Sequence, residues 1–145
     1  MVVKSEVRIR NNIPILNKAL IIAYKDGLET FGQVAEIQIT ATIDRGVPPP
    51  NAPSTIAAKG SSQPLFDTGQ LYGQISHEVR DGGKSVVVGV MGSRAGIAMI
   101  HEFGLGGQHE RSFIRSTFND STSRSEMMNG IKKEVKQAIS KSTIK

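Results

Sequence analysis

Between Pro14 and Thr40, apolar side chains recur every third or fourth residue: Leu16, Leu20, Tyr24, Leu28, Phe31, Ala35 and Ile39. That spacing lays one apolar stripe along a helix and leaves the opposite side polar. Asn11-Asn12 ahead of Ile13-Pro14 suits a helix start, because asparagine accepts from free first-turn N–H groups and proline has none to lose. The expectation is a helix from Pro14 to about Thr40, roughly 40 Å long at the usual rise per residue. The rest of the chain must then pack against this rod. Gly27 and Gly32 weaken it, each by about 1 kcal/mol relative to alanine. Ile37, Ile39, Thr40, Thr42 and Ile43 are β-branched, so the end is also compatible with a strand. Upstream, Val3–Ile9 alternates apolar and charged residues, as a short strand or extended arm does.

A chain of 145 residues is long enough for one domain with its own core. That core is thin: 38% of residues are hydrophobic, 5% aromatic, and there is no Trp. A thin core suits a protein that completes its burial against neighbouring subunits. The absence of Cys removes disulfides, thiol catalysis and thiolate metal sites, and fits a reducing cytoplasm. MVVKSEVRIR has no long apolar segment, and no run approaches bilayer-spanning length, so a soluble, unexported chain is expected. The net charge of +5 is concentrated at the C-terminal end, in Arg124, Lys132, Lys133, Lys136, Lys141 and Lys145. Without interleaved aromatics or a docking motif, these read as a solvated helix face rather than a nucleic-acid patch.

Arg45–Phe66 holds five of the six prolines and is expected to be one long loop or arm, with Ile56, Leu65 and Phe66 available for burial against a partner. Ile75–Arg80 and Ser85–Val90, joined by Asp81-Gly82-Gly83-Lys84, form a β-hairpin. Ala95 to about Phe103 is a short helix, followed by a loop with Gly104, Gly106 and Gly107. Phe103 and Phe113 are the natural anchors of that loop. Phe113–Phe118 is a brief strand or the entry to a last helix. That helix, about Ser125–Ser140, places Met128, Ile131, Val135 and Ile139 on its inner face. The fold class is therefore α+β: two long helices packed on a small, mainly antiparallel sheet.

Candidate chemistry is sparse. Asp67-Thr68-Gly69 after Leu65-Phe66 matches the local signature of aspartic proteases, which in retrovirus-like dimers share one proton between two such aspartates. The strand-rich pattern of that fold is missing, and a Gln follows the glycine. The alternative is that Asp67 or Thr68 caps a helical turn stapled by Leu65 and Leu71. His77-Glu78, His101-Glu102 and His109-Glu110 pair metal-ligand types, but three glycines separate His101 from His109, so no rigid two-ligand face exists. A structural role for His101 and Glu102, with Glu102 meeting an Arg, is the simpler expectation. Gly89–Gly92 lacks the Lys of a phosphate-binding loop. No cofactor or metal site and no catalytic residue is expected.

Taken in order, Leu65…Asp67-Thr68-Gly69-Gln70-Leu71, the Val-Val-Val-Gly strand, Ala98…His101-Glu102-Phe103-Gly104 and Arg111-Ser112-Phe113-Ile114 resemble the tail-completion and virion-morphogenesis proteins of tailed bacteriophages. The resemblance covers about residues 64–118, with Ile97 where an aromatic is usual and Ser112 in place of a proline. It implies a structural virion protein in a homo-oligomeric ring, hexameric or dodecameric, at the neck or head-proximal tail end. Its implied partners are the neighbouring head–tail connector and the tail terminator or tube proteins. DNA would pass through the lumen without sequence-specific binding, and no membrane is involved. The motif residues Leu65, Asp67, Thr68, Gly69, Leu71, His101, Glu102, Phe103, Gly104, Arg111 and Phe113 would then form structural or interface elements. The competing readings are a dimeric aspartic protease using Asp67 and an assembly factor that leaves the particle.

Overall fold

A helix of 32 residues, α1 (Ile13–Asp44), is the axis of the fold, seen in a computed structural model that describes residues 11–143. The alternating Val3–Ile9 stretch lies outside the described residues. At its usual rise α1 runs about 48 Å. Its β-branched end stays helical because Ile39 and Ile43, one turn apart, are both fully buried, and burial outweighs a propensity difference of a few tenths of a kcal/mol. The hydroxyls of Thr40 and Thr42 donate to the Glu36 and Gln38 carbonyls one turn back, each at 2.9 Å.

The remaining elements follow as α2 (Pro53–Lys59), β1 (Ile75–Arg80), β2 (Ser85–Val90), α3 (Ala95–Phe103), α4 (Ile114–Asn119) and α5 (Ser121–Thr143). Strands β1 and β2 form an antiparallel pair in the register Ile75↔Val90, His77↔Val88 and Val79↔Val86. Asp81, Gly82 and Gly83 all take positive φ in the turn between them. Such a hairpin is marginal by itself, and it is held by packing against α1.

α5 runs antiparallel to the N-terminal part of α1, and glycines let the two helices approach closely. A Cβ at Gly27 would lie 2.8 Å from Ile131 Cα, and one at Gly130 would lie 2.7 Å from Thr30 Cγ2. The inner face of α5 is therefore set by small residues, Ser123, Gly130 and Ala138, together with Met127. This corrects the expected stripe: Met128 and Ile139 are exposed, about one residue's rotation from the true contact line. Lys132, Lys133, Lys136 and Lys141 are exposed on the outside. Gly27→Ala is expected to lower stability by about 1–3 kcal/mol, because helix separation outweighs the propensity gain. Gly96→Ala on α3, where a Cβ meets nothing within 4 Å, should raise it by up to about 1 kcal/mol. Urea denaturation of both variants checks the pair.

Gly32 has a different neighbour. A Cβ there would overlap the ring of His77 from β1, so the glycine leaves room for the imidazole. His77 Nδ1 lies 2.6 Å from Glu36 Oε1, and Nε2 lies 3.1 Å from Glu29 Oε1. Burial by itself disfavours the imidazolium, but hydrogen bonds and charge from Glu36 and Glu29 together outweigh it, and the pKa is raised. A group whose folded pKa exceeds its unfolded value contributes stability that is complete below the unfolded value, about 6.5, and fades as pH rises through the folded one. Unfolding free energy should therefore fall from pH 6 into the alkaline range, and His77→Gln should flatten that slope. A parallel slope in both proteins would remove His77 from the account.

The main core gathers at the C-terminal end of α1. Ile39, Ile43, Val47, Leu71, Ile75, Ala98 and Phe113 are buried together, flanked by Leu65, Tyr72, Val88, Val90, Ile114 and Phe118.

Candidate functional site

The segment between α1 and β1 is tied down rather than free. Arg45–Phe66 is not the uninterrupted loop expected from its prolines, because Pro53 opens α2 and Gly60, in the left-handed conformation, closes it. Proline at the first helical turn and glycine just past the end is the usual asymmetry of a short helix, and it was present in the sequence. Asn51 Nδ2 bonds the carbonyls of Ser62 and Gln63, pinching the base of this excursion. Gln63 and Tyr72 then close on the end of α1, with Tyr72 Oη donating to Asp44 Oδ1 at 2.7 Å. Burial, followed by the hydrogen bond and charge of Asp44, pushes the Tyr72 phenol well above its ordinary pKa.

Leu65 to Leu71 follows as a turn. Leu65 takes a positive φ of 63°, a costly state for a branched residue, and is half-buried, while Leu71 is in the core. Asp67 and Thr68 are exposed and cap no helix: the turn Tyr72–Gln74 begins after Leu71 with no side-chain cap. Gln74 secures the next connection, its Oε1 accepting from Arg94 N at 2.8 Å and its Nε2 donating to Ser93 Oγ at 3.0 Å.

α3 turns Ala98 and Glu102, four residues apart, into the protein. Phe103, a further 100° around the helix, consequently faces outward and is 52% exposed, so it is not a buried anchor of the glycine loop. One face of its ring is covered by Arg115, whose Cζ lies 4.9 Å from the centroid. Gly104 ends α3 in the left-handed conformation, and His101 O accepts from Arg111 N at 2.7 Å to close the loop.

Glu102 holds both ends of that loop together. One carboxylate oxygen accepts from Phe113 N and Ile114 N, both at 2.9 Å. The other accepts from Arg115 N at 2.8 Å, Ser112 Oγ at 3.0 Å and Arg115 Nε at 3.3 Å. The backbone donors are those that the start of α4 cannot satisfy within its own helix. A buried carboxylate on α3 thus caps α4 from across the loop, with favourable interaction with the helix dipole. Thr117 Oγ1, fully buried, meets Thr42 Oγ1 at 2.7 Å and ties α4 to α1.

Above this buckle lies a groove of about 750 Å³. Leu65, Asp67, Thr68, Gly69 and Leu71 form one side of it. His101 and Arg111 form another, and Lys59 and Arg94 also line it. The structure thus brings seven of the motif residues onto one cavity, sets Glu102 and Phe113 beneath it, and leaves Phe103 outside. No protein-family model, curated protein or solved structure matches the chain. Lys59 carries no sequence signal for this position because the prolines around it mask α2, and Arg94 carries none because its neighbours form no motif. His101 Nδ1 is buried without a hydrogen-bond partner. Burial, then the charges of Arg111 and Lys59, lower its pKa, so the ring is neutral at pH 7. The groove accordingly offers cationic donors and a neutral imidazole, with Asp67 as the nearby acid. Among the described residues, no group of three or more His, Cys, Asp or Glu can hold a metal ion. No described helix is long and apolar enough to cross a membrane.

Proposed function

We propose that this chain is a structural, non-enzymatic virion protein of a tailed bacteriophage, one subunit of a ring that joins the capsid connector to the tail tube. The observation that carries the reading is the outer face of α3 and the turn after it. Ile97, Met99, Ile100, Phe103 and Leu105 are all exposed there, on an element whose inner side is locked by Glu102. A rigidly held apolar surface of this kind marks an interaction site. The order of the four motifs supports the same reading, as does the convergence of three of them, all but the Val-Val-Val-Gly strand, on one groove and buckle. An aspartic protease is disfavoured by the sheet, which has two strands among the described residues, and by Asp67, which sits exposed in a turn after a helical excursion.

Ring formation requires head-to-tail contacts between copies that close on themselves. In vitro complementation tests the function directly. Lysate of the encoding phage lacking this chain should accumulate unjoined heads and tails, and purified protein should restore joined, infectious particles without cleaving any virion protein. Restoration accompanied by a new cleavage would favour the protease. Restored particles from which the protein is absent would favour a departing assembly factor.

A further inference from the structure

Arg111 is 7% exposed, and its guanidinium satisfies one edge with neutral partners alone: Nε donates to Pro49 O at 2.9 Å and Nη2 to Pro50 O at 3.3 Å. Lys59 Nζ reaches the Gln63 carbonyl at 3.4 Å. Among the described residues, no carboxylate pairs with Lys59, Arg94 or Arg111, although all three line the same groove. A buried guanidinium without a counter-charge is costly, and a free Nη edge matches a planar carboxylate in a two-pronged pair. His101, which lines the same groove, keeps its Nδ1 buried without a hydrogen-bond partner.

We infer that the groove is a binding site for a carboxylate, presented by a Glu or Asp flanked by apolar residues on an extended segment of a partner protein, with Arg111 at its floor and Lys59 and Arg94 at its rim. Depth selects the ligand. A slender side chain can enter to a buried guanidinium, whereas the phosphates of a DNA duplex are held on a surface too broad to follow it. The single negative charge of a carboxylate also sits better than a phosphate dianion beside Asp67 on the wall. Leu65 and Ile97 supply apolar wall for the methylene stem and flanking residues. The inference rests on the joining role for the origin of the segment, which a neighbouring subunit or adjoining ring would supply. The groove's chemistry does not depend on that role.

The test is a ¹H–¹⁵N NMR titration of the full chain with the capped peptide Ala-Leu-Glu-Leu-Ala, its Gln counterpart, inorganic phosphate and a short DNA duplex, each separately. The Glu peptide should give saturable shifts at the amides of Leu65, Ile97, His101 and Arg111, and the Gln peptide should bind about tenfold more weakly. Lys59→Gln combined with Arg94→Gln, both at the rim, should weaken Glu-peptide binding by about tenfold with the rest of the spectrum unchanged. Equal binding of the two peptides, no shift at these amides, or a response confined to phosphate or DNA would each overturn the assignment. Failure here leaves complementation intact, and failure of complementation leaves this titration intact, so the two readings are separable.

Discussion

Replacing Glu102 by Ala is expected to lower the unfolding free energy by about 3–5 kcal/mol, as when one partner of a buried charged cluster is removed. Three backbone N–H groups, the Ser112 hydroxyl and Arg115 Nε all lose their acceptor at once. Each buried donor left unsatisfied costs about 1–3 kcal/mol, and the total stays below the simple sum because water enters the opened loop. Glu102→Gln keeps the shape and one acceptor oxygen but turns an NH₂ toward backbone donors, so its loss should be smaller, about 2 kcal/mol. Amide exchange should accelerate first between Gly104 and Arg115, while the α1 and α5 amides keep their protection. Urea denaturation with hydrogen exchange reads both effects. A Glu102→Ala protein within about 1 kcal/mol of wild type would show that the buckle is incidental.

Phe113→Ala should cost a similar amount, about 3–5 kcal/mol, for a different reason. Phe113 is fully buried against the Ile39–Ile43 end of α1, so truncation opens a cavity in the middle of the main core. Phe113→Leu, which refills most of that volume, should lose about 1–1.5 kcal/mol. Because Phe113 N is itself bonded to Glu102, the two sites are coupled, and the double variant should lose less than the sum of the single losses. For function, the expectation is graded. Phe113→Ala protein that remains soluble should fail in complementation, since the groove and α3 surface rest on this residue. Full complementation by that variant would contradict the account.

Sequence and structure agree where a pattern is local. The helix announced by the stripe from Leu16 to Ile39, the alternation in Ile75–Arg80 and the bounds of α3 each follow from side-chain period within one element and match the observed helices and hairpin. Tyr24 of the stripe is nonetheless exposed, and Ala23 and Gly27 take the buried line there. The differences arise where packing between distant segments decides. Gly27, Gly32 and Gly130 look like weak points in isolation, yet each sits where another element approaches too closely for a Cβ. On α5 the inward side is set by small residues with Met127, so that Met128 and Ile139 of the expected stripe turn outward while Ile131 and Val135 stay half-buried. Phe103 looks like an anchor by size, but its angular position beside Ala98 and Glu102 turns it outward. At the site, the pairing of Glu102 with an Arg was readable in kind. Its capping of α4 was not, because the donors lie eleven to thirteen residues away across a loop whose path no local rule sets. The groove was equally hidden, since Lys59 reaches it from a helix that the prolines obscured.

On the proposed function, this chain joins head to tail as a ring. Cryo-electron microscopy of the mature virion of the encoding phage tests it most directly. A closed ring of this fold should then lie between portal and tail tube, with the exposed face of α3 covered by a neighbouring subunit or ring. A joined, mature particle containing no density for the chain would contradict it.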